Sequence, residues 1–133
     1  MTPTVRTLQI RTSEDVVRVR QEVRARAASM GFSLVDQTKL VTAVSELARN
    51  TLNYGGGGSA VLESVTKAGR SGLRITFEDQ GPGIADIPLA LKDGYTTGGG
   101  LGLGLGGAKR LSNEFDINSR VGEGTKITIA RWR

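Results

Sequence analysis

The sequence predicts a two-layer α/β sandwich, with about three helices packed on one face of a mixed, mostly antiparallel sheet. Three observations carry that prediction. Two amphipathic helices occupy the first half of the chain. Two hairpin-like pairs of strand segments follow, "SAVLESVTKAG" with "LRITFEDQG" and "FDINS" with "GTKITIARW". A length of 133 residues suits one hydrophobic core and one domain spanning residues 1–133. Helices on one side and hairpins on the other make two layers around that core.

Val5 to Ile10, "VRTLQI", alternates apolar and polar residues and reads as a short first strand. Ser13 is a suitable N-cap, and Glu14 and Asp15 in the first turn suit the helix dipole. Val16, Val19, Val23, Ala27 and Met30 recur at helical spacing, which predicts a helix over 14–30 ended by Gly31. A second helix runs from Leu34 to Tyr54 with Leu40, Val44, Leu47 and Thr51 as its core stripe, and "GGGG" at 55–58 stops it. The first hairpin turns at "AGRSG" and the second at "RVGEG". Between the hairpins lies a long glycine-rich connection over 80–101, with a short helical turn expected in "IPLALKDG". A third helix starts within the glycine repeat, near Leu103. So long a connection in a small domain is usually functional.

Composition narrows the chemistry. Apolar residues make up 38% and charged residues 23%, ordinary for a folded globular chain. No run approaches the roughly 18 apolar residues of a membrane span, and "MTPTVRTLQIRT" lacks the apolar region of a signal peptide. The expectation is a cytoplasmic protein with no membrane partner. With 0 cysteines and no histidine, disulfides, thiolate or histidine metal sites, and serine–histidine catalysis are excluded. The net charge is +5, much of it in "RVRQEVRAR" at 18–26. Aromatic residues are only 5%, leaving few platforms for stacking bases, so no nucleic-acid partner is expected. The arginines read instead as a solvated or partner-facing helix surface.

Four segments carry possible chemistry. In "ELARN", Glu46 and Asn50 stand one helical turn apart, and Asn53 extends the row. A carboxylate beside a carboxamide offers a proton acceptor next to a hard oxygen ligand, although a solvated polar face is the commoner meaning of such a row. In "EDQGPGI", Asp79 ends an apolar strand, and Gly81 and Gly83 would let backbone approach a flat ring, or make an ordinary turn. In "YTTGGGLGLGLGG", glycine at 98–100, 102, 104, 106 and 107 argues against a strand. A helix beginning there would point free N–H groups at an anion. No strand feeds this loop directly, so it is not a Rossmann fingerprint. In "GEGT", Thr125 would join Asp79 if their strands were neighbours.

In this order the four segments resemble the GHKL, or Bergerat-fold, ATP-binding superfamily. "ELARN" matches its N-box, "DQGPG" its first glycine box, "GGGLGLGLGG" its lid and "GEGT" its last box. The wording of "SELARNTLNYGGGG", "DGYTTGGGLGLGLGGAKRLSNEF" and "INSRVGEGTKI" is similar to RsbT-type serine/threonine kinases, the switch kinases of the bacterial stressosome. The resemblance implies ATP and magnesium as cofactors, with Glu46 as general base and Asn50 as the metal ligand. It implies an ATP site formed by Asn50, Asn53, Asp79, Gly81, Gly83, Ile84, Thr97, Gly100, Gly102, Leu103, Gly104, Leu105, Gly106 and Thr125. Asp79 would take the adenine amino group, and Gly102 to Gly106 the phosphates. Thr96 to Gly100 would be the moving part of the lid. The implied partners are a STAS-domain scaffold or antagonist as substrate and a downstream phosphatase as effector, with weak homodimerisation allowed. Two other readings stand beside it: an anti-sigma-factor kinase that sequesters a sigma subunit, and a mainly non-catalytic, nucleotide-dependent regulator.

Overall fold

The computed structural model describes residues 5–92 and 104–133. The expected lid residues Thr97, Gly100, Gly102 and Leu103 lie outside them. In chain order the elements are β1 (Val5–Ile10), α1 (Ser13–Ser29), α2 (Leu34–Asn53), β2 (Gly58–Lys67), β3 (Arg70–Asp79), α3 (Ile87–Ala90), α4 (Gly104–Arg110), β4 (Glu114–Arg120) and β5 (Gly124–Trp132). The strands form one five-stranded sheet in the order β1-β2-β3-β5-β4. Each of the four pairings is antiparallel, where a mixed sheet was allowed for.

The N-cap of α1 is Thr12 rather than Ser13. Its hydroxyl accepts from the Asp15 N–H, and Asp15 Oδ2 accepts from the N–H groups of Arg11 at 2.9 Å and Thr12 at 3.2 Å, closing a capping box. Asp15 therefore acts in the cap itself and not only through the helix dipole. In the arginine run, Arg18, Arg20 and Arg24 are exposed, but Arg26 is buried. Ser33 caps α2, accepting from Asp36 N–H at 3.1 Å.

The first hairpin is tighter than "AGRSG" suggests. Lys67 pairs with Arg70, leaving Ala68 and Gly69 as a two-residue turn with φ of 52° and 77°. Two positive φ values match the right-handed strand twist, so the strands continue through Arg70, Ser71 and Gly72.

Along β3, Leu73, Ile75 and Phe77 alternate onto the face that meets the helices. They pack with Ile10, Leu62 and Ile129 beneath Val19, Val23, Leu40, Val44 and Leu47, which are all buried. Arg131 ties the layers together. Its Nη2 lies 2.7 Å from Asp36 Oδ1 at the start of α2, and its Nη1 donates to the Leu111 carbonyl just beyond α4, also at 2.7 Å.

Candidate functional site

At one end of the sheet, β3 closes with Asp79 directly opposite Thr125 on β5 and Gly58 on β2. Here the core face of the sheet stops being covered, and a cleft of about 370 Å³ opens between α2, the loop after β3, α3 and the start of α4. That volume suits a small-molecule ligand. Leu47, Phe77 and Ile127 make its apolar floor, and Tyr54 and Leu89, both exposed, stand at its edges.

The carboxylate is fixed by its neighbours. Asp79 Oδ1 accepts from Gly81 N–H at 2.9 Å. Burial pushes its pKa up, opposed by the N–H groups of Gly81 and Thr125. Gly55 sits against the carboxyl so closely that a Cβ there would overlap it, and Gly81 packs on the Gly55 backbone in turn. Gly83, at φ +77°, lies on the Arg120 backbone, and Gly122 N–H donates to the Pro82 carbonyl at 2.8 Å, so the β4–β5 turn braces this wall.

The cleft collects Asn50, Asp79, Gly83, Ile84, Gly104, Leu105 and Thr125 from among the expected residues. Four others stand outside its lining. Asn53 is exposed at the last turn of α2. Gly81 supports Asp79 from behind. Gly106 is buried against the Leu91 carbonyl. Glu46 is also buried, at 3% exposure, beneath the start of α4. Its Oε1 accepts from Gly104 N–H at 3.2 Å, and its Oε2 lies 3.0 Å from Arg49 Nη2. The row of Glu46, Asn50 and Asn53 thus splits into a buried, a cleft-lining and an exposed residue. The three share one helical face, and their exposure differs because the start of α4 covers Glu46 while Asn53 stands in the last turn of α2.

Sequence reasoning missed Tyr54, Gly55 and the α3 residues Leu89 and Ala90 as cleft walls. The signal for α3 was present in "IPLALKDG", an apolar patch inside a polar connection. "GGGG" reads as a helix stop, and nothing in the string shows that its first glycine rests on Asp79.

Residues 35–133 match the family described as histidine kinase-, DNA gyrase B-, and HSP90-like ATPase. The chain belongs to this family. It is 50% identical over 125 residues to the serine/threonine-protein kinase RsbT of Bacillus subtilis, covering 94% of both chains. On that relationship it is an enzyme of the ATP-dependent serine/threonine-protein kinase class. The sensor-like histidine kinase SenX3 of Mycobacterium tuberculosis is 34% identical over 122 residues, but the match spans only 30% of that protein. Among solved structures, the RsbU and RsbW domains of Rv1364c from Mycobacterium tuberculosis superpose with a TM-score of 0.66 at 22% identity, over 98% of this chain and 33% of that one. The mycobacterial sensor histidine kinase MprB does so with a TM-score of 0.55 at 19% identity, over 96% of each. These two likenesses extend the agreement in fold. Among the described residues, no helix is long and apolar enough to cross a membrane.

Proposed function

We propose that residues 1–133 act as one catalytic unit that transfers the γ-phosphoryl group of ATP to a serine or threonine hydroxyl of a STAS-domain protein, and then engages a downstream phosphatase in a partner-switching module of the cytoplasm. The observation that supports it best is the pairing of Asp79 with Thr125 at the end of adjacent strands, in an apolar-floored cleft that Asn50 also lines. An acceptor pair over an apolar floor suits the amino edge of adenine.

Magnesium fits the donors present. Among the described residues no group of three or more His, Cys, Asp or Glu could hold a metal alone. Asn50 offers one amide oxygen in the cleft, which suits an ion that takes its other ligands from phosphate and water. Bound there, magnesium would neutralise charge on the transferring phosphoryl group. The chain's own part is positioning: Asp79 and Thr125 orient the base, Asn50 serves the phosphate end, and Glu46 takes the hydroxyl proton on a lone pair that Gly104 and Arg49 leave open.

The test is incubation with γ-labelled ATP, magnesium and the STAS-domain protein encoded nearest this chain. Label on serine or threonine of that protein supports the reading. A partner that stays unlabelled while the chain binds ATP overturns the substrate assignment.

A further inference from the structure

Ser119 on β4 does not line the cleft, and none of the roles above uses it. Its hydroxyl nevertheless joins three groups of that wall. Ile84 N–H donates to Ser119 Oγ at 2.8 Å. Ser119 Oγ also lies 3.1 Å from the Gly124 carbonyl and 2.7 Å from Thr125 Oγ1.

A serine hydroxyl has one hydrogen and two lone pairs. The Ile84 amide can only donate, so it occupies one lone pair. The Gly124 carbonyl can only accept, so it takes the hydrogen. One lone pair remains for Thr125, and Thr125 must supply the hydrogen of that bond. Only this placement makes all three bonds at once. It commits the Thr125 proton to Ser119 and leaves lone pairs of Thr125 Oγ1 as the polar feature it can present to the cleft.

Thr125 stands directly opposite Asp79 in the β3–β5 ladder. The two side chains therefore offer acceptors side by side. An exocyclic amine brings two hydrogens on one nitrogen and satisfies such a pair. A 6-oxo purine sets a carbonyl oxygen there and keeps only its N1–H as a donor on that edge, so at least one of the two acceptors is covered by the base without a partner, which costs more than a missed contact in water.

We propose that Ser119 is a specificity-determining residue, which selects 6-amino over 6-oxo purine nucleotides by locking the Thr125 hydroxyl as an acceptor. This rests on the reading of the cleft as an adenine site. Without Ser119 the Thr125 hydroxyl can turn and donate to a 6-oxo group, so discrimination relaxes while binding survives.

The experiment is calorimetric titration of the full chain with ATP and with ITP, whose base carries a 6-oxo group and an N1–H in place of the 6-amino group and bare N1. The wild type should favour ATP by about a hundredfold or more. Ser119→Ala should shrink the preference by about tenfold, mostly through tighter ITP binding. S119C keeps the side-chain volume with a weaker donor, and should shift the preference the same way should S119A not fold. In a Thr125→Val background S119A should leave the preference unchanged, because the hydroxyl it governs is gone. Equal loss of ATP and ITP affinity in S119A, or an unchanged preference in a folded S119A or S119C, overturns the inference and leaves the adenine site standing. A wild type without preference for ATP, or Asp79→Asn with full ATP affinity, overturns the adenine site itself.

Discussion

The backbone N–H of Gly104 donates to Oε1 of Glu46 across 3.2 Å, joining the first residue of α4 to the middle of α2. With Arg49 on Oε2, both oxygens of this carboxylate are engaged. A carboxylate has about four lone-pair sites, so two remain for an incoming hydroxyl, and it is the burial of Glu46 beneath α4 that such a hydroxyl must overcome. Glu46→Gln keeps the shape and an acceptor for Gly104 while removing the base. Phosphoryl transfer should fall by about 10²- to 10⁴-fold, with ATP affinity nearly unchanged in a filter-binding or calorimetric assay. Normal transfer by this variant would remove Glu46 from the mechanism.

Asp79 leads to a prediction that separates stability from binding. Burial raises its pKa above the ordinary value of 3.8, so the folded state holds its proton more tightly than the unfolded state. Its contribution to stability is full below that value and is lost as pH rises through the folded pKa. Above the folded pKa the ionised carboxylate stabilises the fold less than its protonated form does. Asp79→Asn should melt at or above the wild-type temperature without nucleotide, yet show no ATP-induced rise. In the wild type, ATP affinity should weaken on acidification at a pH above 3.8, because the protonated carboxyl is a poorer acceptor. An Asp79→Asn variant that is still stabilised by ATP would contradict both points.

Gly55 tests the packing behind that carboxyl. Its φ is not in the left-handed region, so the effect of substitution there is steric, through the overlap of a Cβ with the Asp79 side chain. Gly55→Ala should retain the circular-dichroism spectrum of the fold and lose ATP affinity by at least tenfold, roughly one misplaced charged hydrogen bond. By contrast, Gly56→Ala meets no atom within 4 Å but sits at φ +74°, so it should cost stability before affinity.

Arg131 governs an acid-sensitive part of the stability. Its hydrogen bond to Asp36 does most to hold that carboxyl below the ordinary value of 3.8. A depressed pKa stabilises the fold above the unfolded value and ceases to as pH falls through the folded one. Arg131→Ala should lower the melting temperature at neutral pH, and the gap from wild type should narrow below about pH 3.8. A constant gap across that range would assign the loss to the Leu111 carbonyl alone.

The sequence exposes this fold well where periodicity and punctuation agree. The stripe from Leu40 to Thr51 and the alternation in β3 place α2 and the sheet core within a residue or two. It is less explicit at caps and turns. Thr12 and Ser13 are both good caps, and the choice rests on Asp15 reaching back to two N–H groups. Ala68 at φ 52° is a conformation that alanine rarely adopts, so the two-residue turn is hidden by its first residue. For the site, Asp79 and Thr125 were legible as separate motif ends, and their adjacency comes from strand order. The burial of Glu46, the seat of Gly55 and the hydroxyl of Ser119 all depend on contacts between segments far apart in the chain, which no local pattern records.

The alternation along β3 has a further consequence for how errors in the chain are tolerated. Ile75, Phe77 and Asp79 share one face, while Glu78 points to the other. A one-residue shift of this strand would bring Glu78 to the cleft and carry the apolar residues out of the core. An acid would still stand at the mouth of the cleft, but no floor would lie beneath it. Insertions and deletions in the Ala68–Gly69 turn should therefore be screened out by misfolding before altered nucleotide use could ever be selected, so that the hydrophobic core acts as the proofreader of the binding site.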